Sequence, residues 1–208
     1  MAVNVKREFN LFLTQINSRY KNRLRLGISG YSQLFFYSFL FCYPSFSYAS
    51  PDLRGVVGGN SAATVNTQGL TTNVNQFQSS VIIDWNSLNL AAEEKLAIHQ
   101  LSTDTLLNRI HSATATDIYG QITGAGTNLF VNPNGVFFRP GSRVDVGALI
   151  ASGLQISNSD FLNGDYIFNE VMGSDGFVIN SGLINASLGG ALGGSVTLLG
   201  KSVTIYVR

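Results

Sequence analysis

The 208 residues suffice for one domain and at most a very small second one, and the single cysteine, Cys42, excludes a disulfide framework and thiolate metal sites. The net charge of +1 averages two unlike pieces: residues 1–49 carry six bases and one acid (+5), whereas residues 50–208 carry seven bases and eleven acids (−4). The acidic second piece argues against a nucleic-acid partner, which would need a basic surface.

Residues 1–49 have the pattern of a signal peptide. The basic residues end at Arg25, and an apolar run, Leu34–Tyr43, follows. About ten residues fit the apolar region of a signal peptide and fall well short of the ~20 needed to span a bilayer. Ser47 and Ala49 are small residues at positions −3 and −1, which predicts cleavage between Ala49 and Ser50. An uncleaved membrane anchor or a wrongly chosen start codon is the alternative.

From Ser50 onward, short apolar runs alternate with Gly, Asn, Asp and Ser, which is typical of strands and turns. No helical segments of 10–15 residues separate these runs, which argues against βαβ units. Leu90–Ile98 contains good helix formers, but a turn or a strand pair with a charged tip fits equally well, and Leu101–Ile110 is similarly ambiguous. The predicted strands are Val81–Trp85, Leu129–Val131, Val136–Phe138, Val144–Val146, Ala148–Ile150, Tyr166–Phe168, Phe177–Ile179, Val196–Leu199 and Val203–Val207.

Two stretches near the end, Gly176–Ile184 and Gly194–Ile205, resemble each other at an offset of about 18 residues. A repeat of that length predicts a β-solenoid in which each coil stacks on the last. A β-sandwich is the alternative. The last coil of a solenoid exposes an open strand edge. Since a strand-like run leads directly to Arg208, we expect the natural protein to continue or to have been truncated.

The most informative stretch is Asn128–Phe138, in which Asn132, Pro133, Asn134 and Gly135 form a strong turn sequence between two apolar runs. Proline at the second position presets φ, and Asn and Gly tolerate the conformations that follow. This N-P-N-G turn is expected to fold a hairpin, to contact a partner, or both.

With its neighbours, this turn resembles the N-terminal secretion domain of filamentous haemagglutinin-type proteins, the exported partners in two-partner secretion. The resemblance covers about residues 50–205, and its motifs occur in the family's order. Leu88 stands where the family often has phenylalanine. The matching stretches are Val81–Leu90, Leu106–Ile110, Ile118–Ile122, Asn128–Phe138, Val146–Ser152, Asp160–Gly164 and Gly193–Gly200.

The resemblance implies an all-β fold, a right-handed parallel β-helix with an N-terminal cap and small antiparallel extra strands. It implies passage through the general export machinery and recognition by an outer-membrane β-barrel transporter, which delivers the protein to the cell surface or the medium. It also implies that Asn132, Pro133, Asn134 and Gly135 take part in that recognition. No cofactor, metal or nucleic acid is expected.

Other chemistry finds little support in the residues. His99 and His111 are the only histidines and are predicted to be exposed polar positions, not metal ligands. Glu93 and Glu94 resemble an acid/base pair but are expected to be solvated at a charged tip. Gly189–Gly194 lacks the Lys-Ser/Thr of a phosphate loop and is predicted to be a coil corner.

Three functions follow in order of preference. The first is the secretion module of a surface adhesin, whose host or cell-surface ligand is bound by regions downstream. The second is the same module leading a contact-dependent growth-inhibition toxin. The third, a β-helix polysaccharide lyase, needs a calcium-binding carboxylate cluster, whereas the acids here are scattered.

Overall fold

The computed structural model describes residues 50–186 and 194–207. The predicted signal peptide, residues 1–49, lies outside the described residues. Within them the chain forms sixteen strands, one six-residue α-helix and one short 3-10 helix, Gly59–Ser61. Most strands pair in parallel with a strand one coil earlier or later, which makes the domain a parallel β-helix with three faces, as predicted.

The first face stacks five strands in parallel: β3 (Thr71–Gln76), β5 (Lys95–His99), the first half of β8 (Gln121–Val131), the first half of β10 (Arg143–Ser152) and β14 (Leu183–Asn185). The second face contains β4 (Ser80–Ser87), β6 (Thr105–Ile110), the second halves of β8 and β10, and β15 (Val196–Leu199). The third contains β7 (Thr116–Ile118), β9 (Val136–Phe138), β13 (Phe177–Asn180) and β16 (Ser202–Ile205).

The coil length differs from the predicted repeat. Thr127 pairs with Thr105, 22 residues earlier, and Ser202 pairs with Phe177, 25 residues earlier. The predicted offset of 18 is therefore wrong, because it aligned strands of two different faces. Side chains in register stack along the axis, and the inward-facing ones form a single continuous apolar core that includes Ile83, Phe130 and Phe138.

β8 and β10 each continue around the corner between the first and second faces. The predicted strands Val144–Val146 and Ala148–Ile150 are thus one strand, β10, which shifts register between Val146 and Ala148. Gly147 lies at this bend, where an added Cβ would come within 2.1 Å of the Ala125 carbonyl oxygen. Only glycine allows the two coils to approach so closely.

An antiparallel cap covers the N-terminal edge of the β-helix. β1 (Asp52–Val56) pairs with β4 on the second face, and β2 (Ala63–Gln68) pairs with β3 on the first. β2 and β3 form a tight hairpin whose turn contains Gly69 at φ +60°. The first coil therefore does not present open strand edges on these two faces, which would otherwise template association.

A second apolar cluster lies outside the β-helix. Residues 153–176 leave the β-helix between β10 on the second face and β13 on the third. They cover the outer side of the second face with β11 (Gln155–Ile156), helix α1 (Asn158–Asn163) and β12 (Phe168–Asn169). The Ser157 hydroxyl accepts a hydrogen bond from the Asp160 N–H and caps the helix. The buried members of this outer cluster are Ile82, Leu107, Leu129, Val131, Ile156 and Phe161.

Several local predictions need correction. The N-P-N-G turn does not fold a hairpin, because β8 and β9 belong to different faces and do not pair with each other. For Leu90–Ile98, where a helix and a turn or strand pair fitted equally well, the structure has a turn followed by β5. Tyr166 has a positive φ of 49°, and only Phe168 of the predicted strand Tyr166–Phe168 is in β12.

The last described coil exposes apolar side chains. Leu183 on β14, Val196 on β15 and Ile205 on β16 are 56%, 46% and 58% exposed. Val196 pairs with the fully buried Leu149 one coil earlier, whereas Leu183 pairs with the exposed Arg143. Within residues 50–186 and 194–207, no helix has the length and apolar character to cross a bilayer.

The outer cluster gives the first prediction. Leu107→Ala should lower the free energy of unfolding by about 3 kcal/mol, since Leu107 is fully buried between the second face and the 153–176 segment. Urea denaturation monitored by Trp85 fluorescence measures this change. Leu101→Ala is the matched control, because Leu101 is 70% exposed. Equal destabilisation by the two variants would show that the 153–176 segment does not bury this face.

The N-P-N-G corner and its cleft

The N-P-N-G turn is closed by its own backbone and by one side chain. The Gly135 N–H donates to the Asn132 carbonyl oxygen at 2.9 Å, and the Asn134 N–H donates to Asn132 Oδ1 at 2.9 Å. Gly135 has φ +112°, and a Cβ there would come within 3.0 Å of the Phe177 ring. The position therefore requires glycine on both conformational and steric grounds.

The two asparagine side chains bind the corner one coil earlier. Asn132 Nδ2 donates to the Thr114 carbonyl oxygen at 3.0 Å and to Thr116 Oγ1 at 2.9 Å. Asn134 Nδ2 donates to the Ser112 carbonyl oxygen at 2.9 Å. These bonds satisfy carbonyl groups that the irregular segment between β6 and β7 leaves without strand partners.

The backbone of the turn binds the corner one coil later. The Asn132 N–H donates to the Ser152 carbonyl oxygen at 3.0 Å, and the Gly176 N–H donates to the Pro133 carbonyl oxygen at 2.9 Å. The turn thus holds three successive corners together. Asn132 is fully buried, while Pro133 and Asn134 are half-buried and remain within reach of another molecule.

A cleft of about 310 Å³ lies beside the turn. One wall comes from the β6–β7 corner and the other from the 153–176 segment, where Met172 is 99% exposed. The lining combines apolar, amide and cationic groups: Arg109, Ile110, His111, Ser112, Val131, Pro133, Asn134, Gln155, Val171, Met172, Gly173 and Ser174.

An ionic network lies at the edge of the cleft. Asp84 pairs across the sheet with Arg109, which binds its carboxylate through Nε at 2.7 Å and Nη2 at 3.1 Å. His111 Nε2 lies 2.8 Å from Asp84 Oδ1, and Arg109 Nη1 donates to Asn158 Oδ1. Burial raises the pKa of Asp84, but hydrogen bonds and charges from Arg109 and His111 outweigh it and hold the pKa below its usual range.

The other predicted candidates are dispersed. His99 and His111 are both exposed, as predicted, and His99 pairs with Asn73. Glu93 is exposed, but Glu94 is only 3% exposed, so the expectation that both carboxylates are solvated is wrong. Within the part of the chain that the structure describes, no three His, Cys, Asp or Glu side chains group as metal ligands. Gly189–Gly193 and Ala49 lie outside the described residues.

Sequence reasoning missed the partners of the turn. Ser112 and Thr114 offer only backbone carbonyl oxygens, which any residue could supply, and Thr116 offers a hydroxyl among many. The Asp84–Arg109 pair was also missed, since its two residues become neighbours only through the coil register. Pairs one coil apart are separated by 25 residues between β4 and β6 but by 22 between β6 and β8, so no constant repeat length in the sequence indicates them.

Comparison with known proteins gives one family and several relatives. The family of TPS secretion domains matches residues 51–206. The heme/hemopexin-binding protein of Haemophilus influenzae strain Rd is 29% identical over 150 residues, which are 68% of this chain and 16% of that protein. A second Haemophilus influenzae heme/hemopexin-binding protein is 28% identical over 80 residues, 38% of this chain and 9% of that protein.

A solved structure shares the fold. The HMW1 secretion domain from Haemophilus influenzae superimposes with a TM-score of 0.62 at 23% identity, over 75% of this chain and 40% of that chain. The chain thus spans well under half the length of each of these relatives.

The hydrogen bonds of the turn give the second prediction. Asn132→Ala should lower the free energy of unfolding by about 3 kcal/mol, because it leaves the buried Thr116 hydroxyl and the Asn134 N–H without their partners. Denaturant melts measure the change. Asn66→Ala, at an exposed position of β2, should stay within about 0.5 kcal/mol of the parent. If both variants lost a similar free energy of unfolding, the conclusion that Asn132 stabilises the corner through its hydrogen bonds would be contradicted.

The ionic network gives the third prediction. A carboxylate with a depressed folded pKa stabilises the fold above its unfolded pKa of about 3.9, and this stabilisation is lost as the pH falls through the folded value. Asp84→Asn should therefore lower the free energy of unfolding by about 2 kcal/mol at pH 7. The difference in this free energy between the variant and the parent should become smaller below about pH 4. Thermal melts from pH 7 to pH 3 measure the difference.

Asp175→Asn is the control, because Asp175 is exposed and should show little effect at either pH. A difference between Asp84→Asn and the parent that stays constant down to pH 3 would contradict the assignment.

Proposed function

The chain belongs to the family of TPS secretion domains, and from this membership we propose that it is the N-terminal secretion module of a two-partner-secreted surface protein. The match over residues 51–206, together with the β-helix fold, carries the proposal. The module is non-enzymatic and acts as a secretion signal that an outer-membrane β-barrel transporter recognises. The protein then reaches the cell surface or the medium.

The proposed route begins at the inner membrane. The basic and apolar pattern of residues 1–49 directs the chain to the general export machinery, and cleavage between Ala49 and Ser50 releases it into the periplasm. Support for this cleavage site comes from the fold itself, since the first strand of the cap starts at Asp52, two residues later. Processing at Ser50 would leave the whole β-helix intact.

Recognition is proposed to involve the N-P-N-G corner in two ways. Asn132 and Gly135 are buried and hold three successive corners together, so their role is to maintain the conformation of the recognition surface. Pro133 and Asn134, with the neighbouring Met172, line the cleft and are available for direct contact with the periplasmic part of the transporter. An exposed methionine beside half-buried polar groups is common on surfaces that bind other proteins.

The cargo is proposed to be an adhesin, with its ligand-binding regions downstream of this module. Two related proteins are named for heme/hemopexin binding, and this chain spans 16% and 9% of them, so their binding activity is not assigned to these residues. The alternative is a contact-dependent growth-inhibition toxin that uses the same module. Extending the reading frame beyond residue 208 and assaying its product for cell adhesion or growth inhibition separates the two.

The fourth prediction tests export directly. The full chain, expressed with a cognate outer-membrane transporter, should accumulate in the medium and should remain in the periplasm without it. Immunoblots measure the ratio of the protein in the medium to that in the periplasm. This ratio should be at least tenfold higher with the transporter than without it. Release into the medium that is independent of the transporter would refute the proposed function.

Two variants separate contact from folding in the same assay. Met172→Asp should reduce secretion several-fold without changing the melting temperature, because the Met172 side chain is 99% exposed and supports no core. Leu101→Asp, equally polar and 70% exposed at a distant corner, should be secreted normally. Normal secretion of Met172→Asp would remove the cleft from the recognition surface.

A further inference from the structure

Glu94 is a buried acid in the turn that leads into β5. Its residue is 3% exposed, and Oε2 accepts a hydrogen bond from the Ala91 N–H at 2.8 Å. Oε1 accepts a hydrogen bond from the Ser50 hydroxyl at 2.9 Å. Within the described residues, no Lys, Arg or His side chain forms an ion pair with it. Each oxygen of this buried carboxylate thus has one hydrogen-bond donor, and a cation that reached it would add a charge-assisted contact.

Asp104 provides an internal comparison. It lies in an equivalent turn before β6, is 7% exposed, and accepts a hydrogen bond from the Leu101 N–H three residues earlier, as Glu94 does from Ala91. A carboxylate at this position is therefore sufficient to close the turn. The second oxygen of Glu94 has an additional role, since it binds a residue 44 positions earlier in the chain.

That distant residue is Ser50, the first residue after the predicted cleavage site. The backbone nitrogen of a serine lies within roughly 4 Å of its own hydroxyl oxygen, because only three covalent bonds separate them. Since that hydroxyl oxygen is 2.9 Å from Glu94 Oε1, the Ser50 nitrogen lies within roughly 7 Å of the carboxylate, at the corner where the chain enters the cap. In the uncleaved chain this nitrogen is a neutral amide, whereas cleavage converts it into an ammonium group.

We propose that Glu94 is the receptor for the new N-terminus: after cleavage between Ala49 and Ser50, the α-ammonium group of Ser50 pairs with the buried Glu94 carboxylate. The ion pair fastens the start of β1 to the corner before β5 and completes the N-terminal cap. Removal of the leader therefore stabilises the module that remains. The inference rests on the proposed processing at Ser50.

The test uses the full chain, exported in a strain without the transporter so that processed protein collects in the periplasm. Mass spectrometry establishes the first residue, which should be Ser50. A second version carries Ser-Gly inserted between Ala49 and Ser50, which moves the amine two residues away but keeps an N-terminal serine. Both versions are made in the parent, Glu94→Gln and Asp104→Asn backgrounds.

The insertion should lower the melting temperature by about 4 °C in the parent and in Asp104→Asn, and by less than 1 °C in Glu94→Gln. An equal shift in all three backgrounds would overturn the pairing. Asp104→Asn is the matched control because it removes a buried charge from the same kind of turn without approaching Ser50.

A second readout does not depend on the folding of Glu94→Gln. Periodate oxidises an N-terminal serine through its amine and hydroxyl, and both groups are engaged in the proposed pair. Oxidation should be at least tenfold slower in the folded parent than in the insertion version. Equal rates would overturn the pairing even if cleavage occurs at Ser50, and a first residue other than Ser50 would overturn it by removing the amine. Transporter-dependent secretion is measured separately and is unaffected by either result.

Discussion

In-register stacking of coils is the constraint on which the rest of this structure depends. The strands of the faces are three to eleven residues long, and those inside the stack obtain their hydrogen bonds from the coil before and the coil after. Stacking fixes which side chains meet, and it places Asp84 beside Arg109 and the N-P-N-G corner between two others. Low charge and the absence of cysteine after Cys42 are compatible with such a fold, because backbone pairing runs along the whole axis.

The strands and the fold class were predictable from sequence, and the coil register was not. Apolar runs such as Val136–Phe138 and Val196–Leu199 coincide with observed strands because their boundaries are residues that favour turns. The register failed because corner lengths vary and residues 153–176 interrupt the repeat with an excursion of their own. Helix α1 was missed because six residues are too few to show a helical period. Ser157 and Gly164, its N-terminal and C-terminal caps, are residue types that favour helix ends and were the only local signal for it.

The candidate site was predictable only at its centre. Asn132 to Gly135 stand out because few sequences combine proline with two turn-forming residues so closely. Their partners in neighbouring corners, and the buried state of Glu94, are products of tertiary structure that no local pattern contains. The corner therefore has two roles. The buried Asn132 fixes the geometry of three successive corners, and the half-buried Pro133 and Asn134 line the cleft.

The hairpin of β2 and β3 has a consequence for the order of events in folding. Its pairs, from Gln68 with Thr71 to Ala63 with Gln76, have short sequence separations, whereas the pairs between stacked coils are 20 or more residues apart. Contacts of low sequence separation form with the smallest entropic cost. Among the strand pairs of the described residues, the hairpin therefore closes at the lowest entropic cost, so we expect it to form before the coils of the β-helix stack on its N-terminal end.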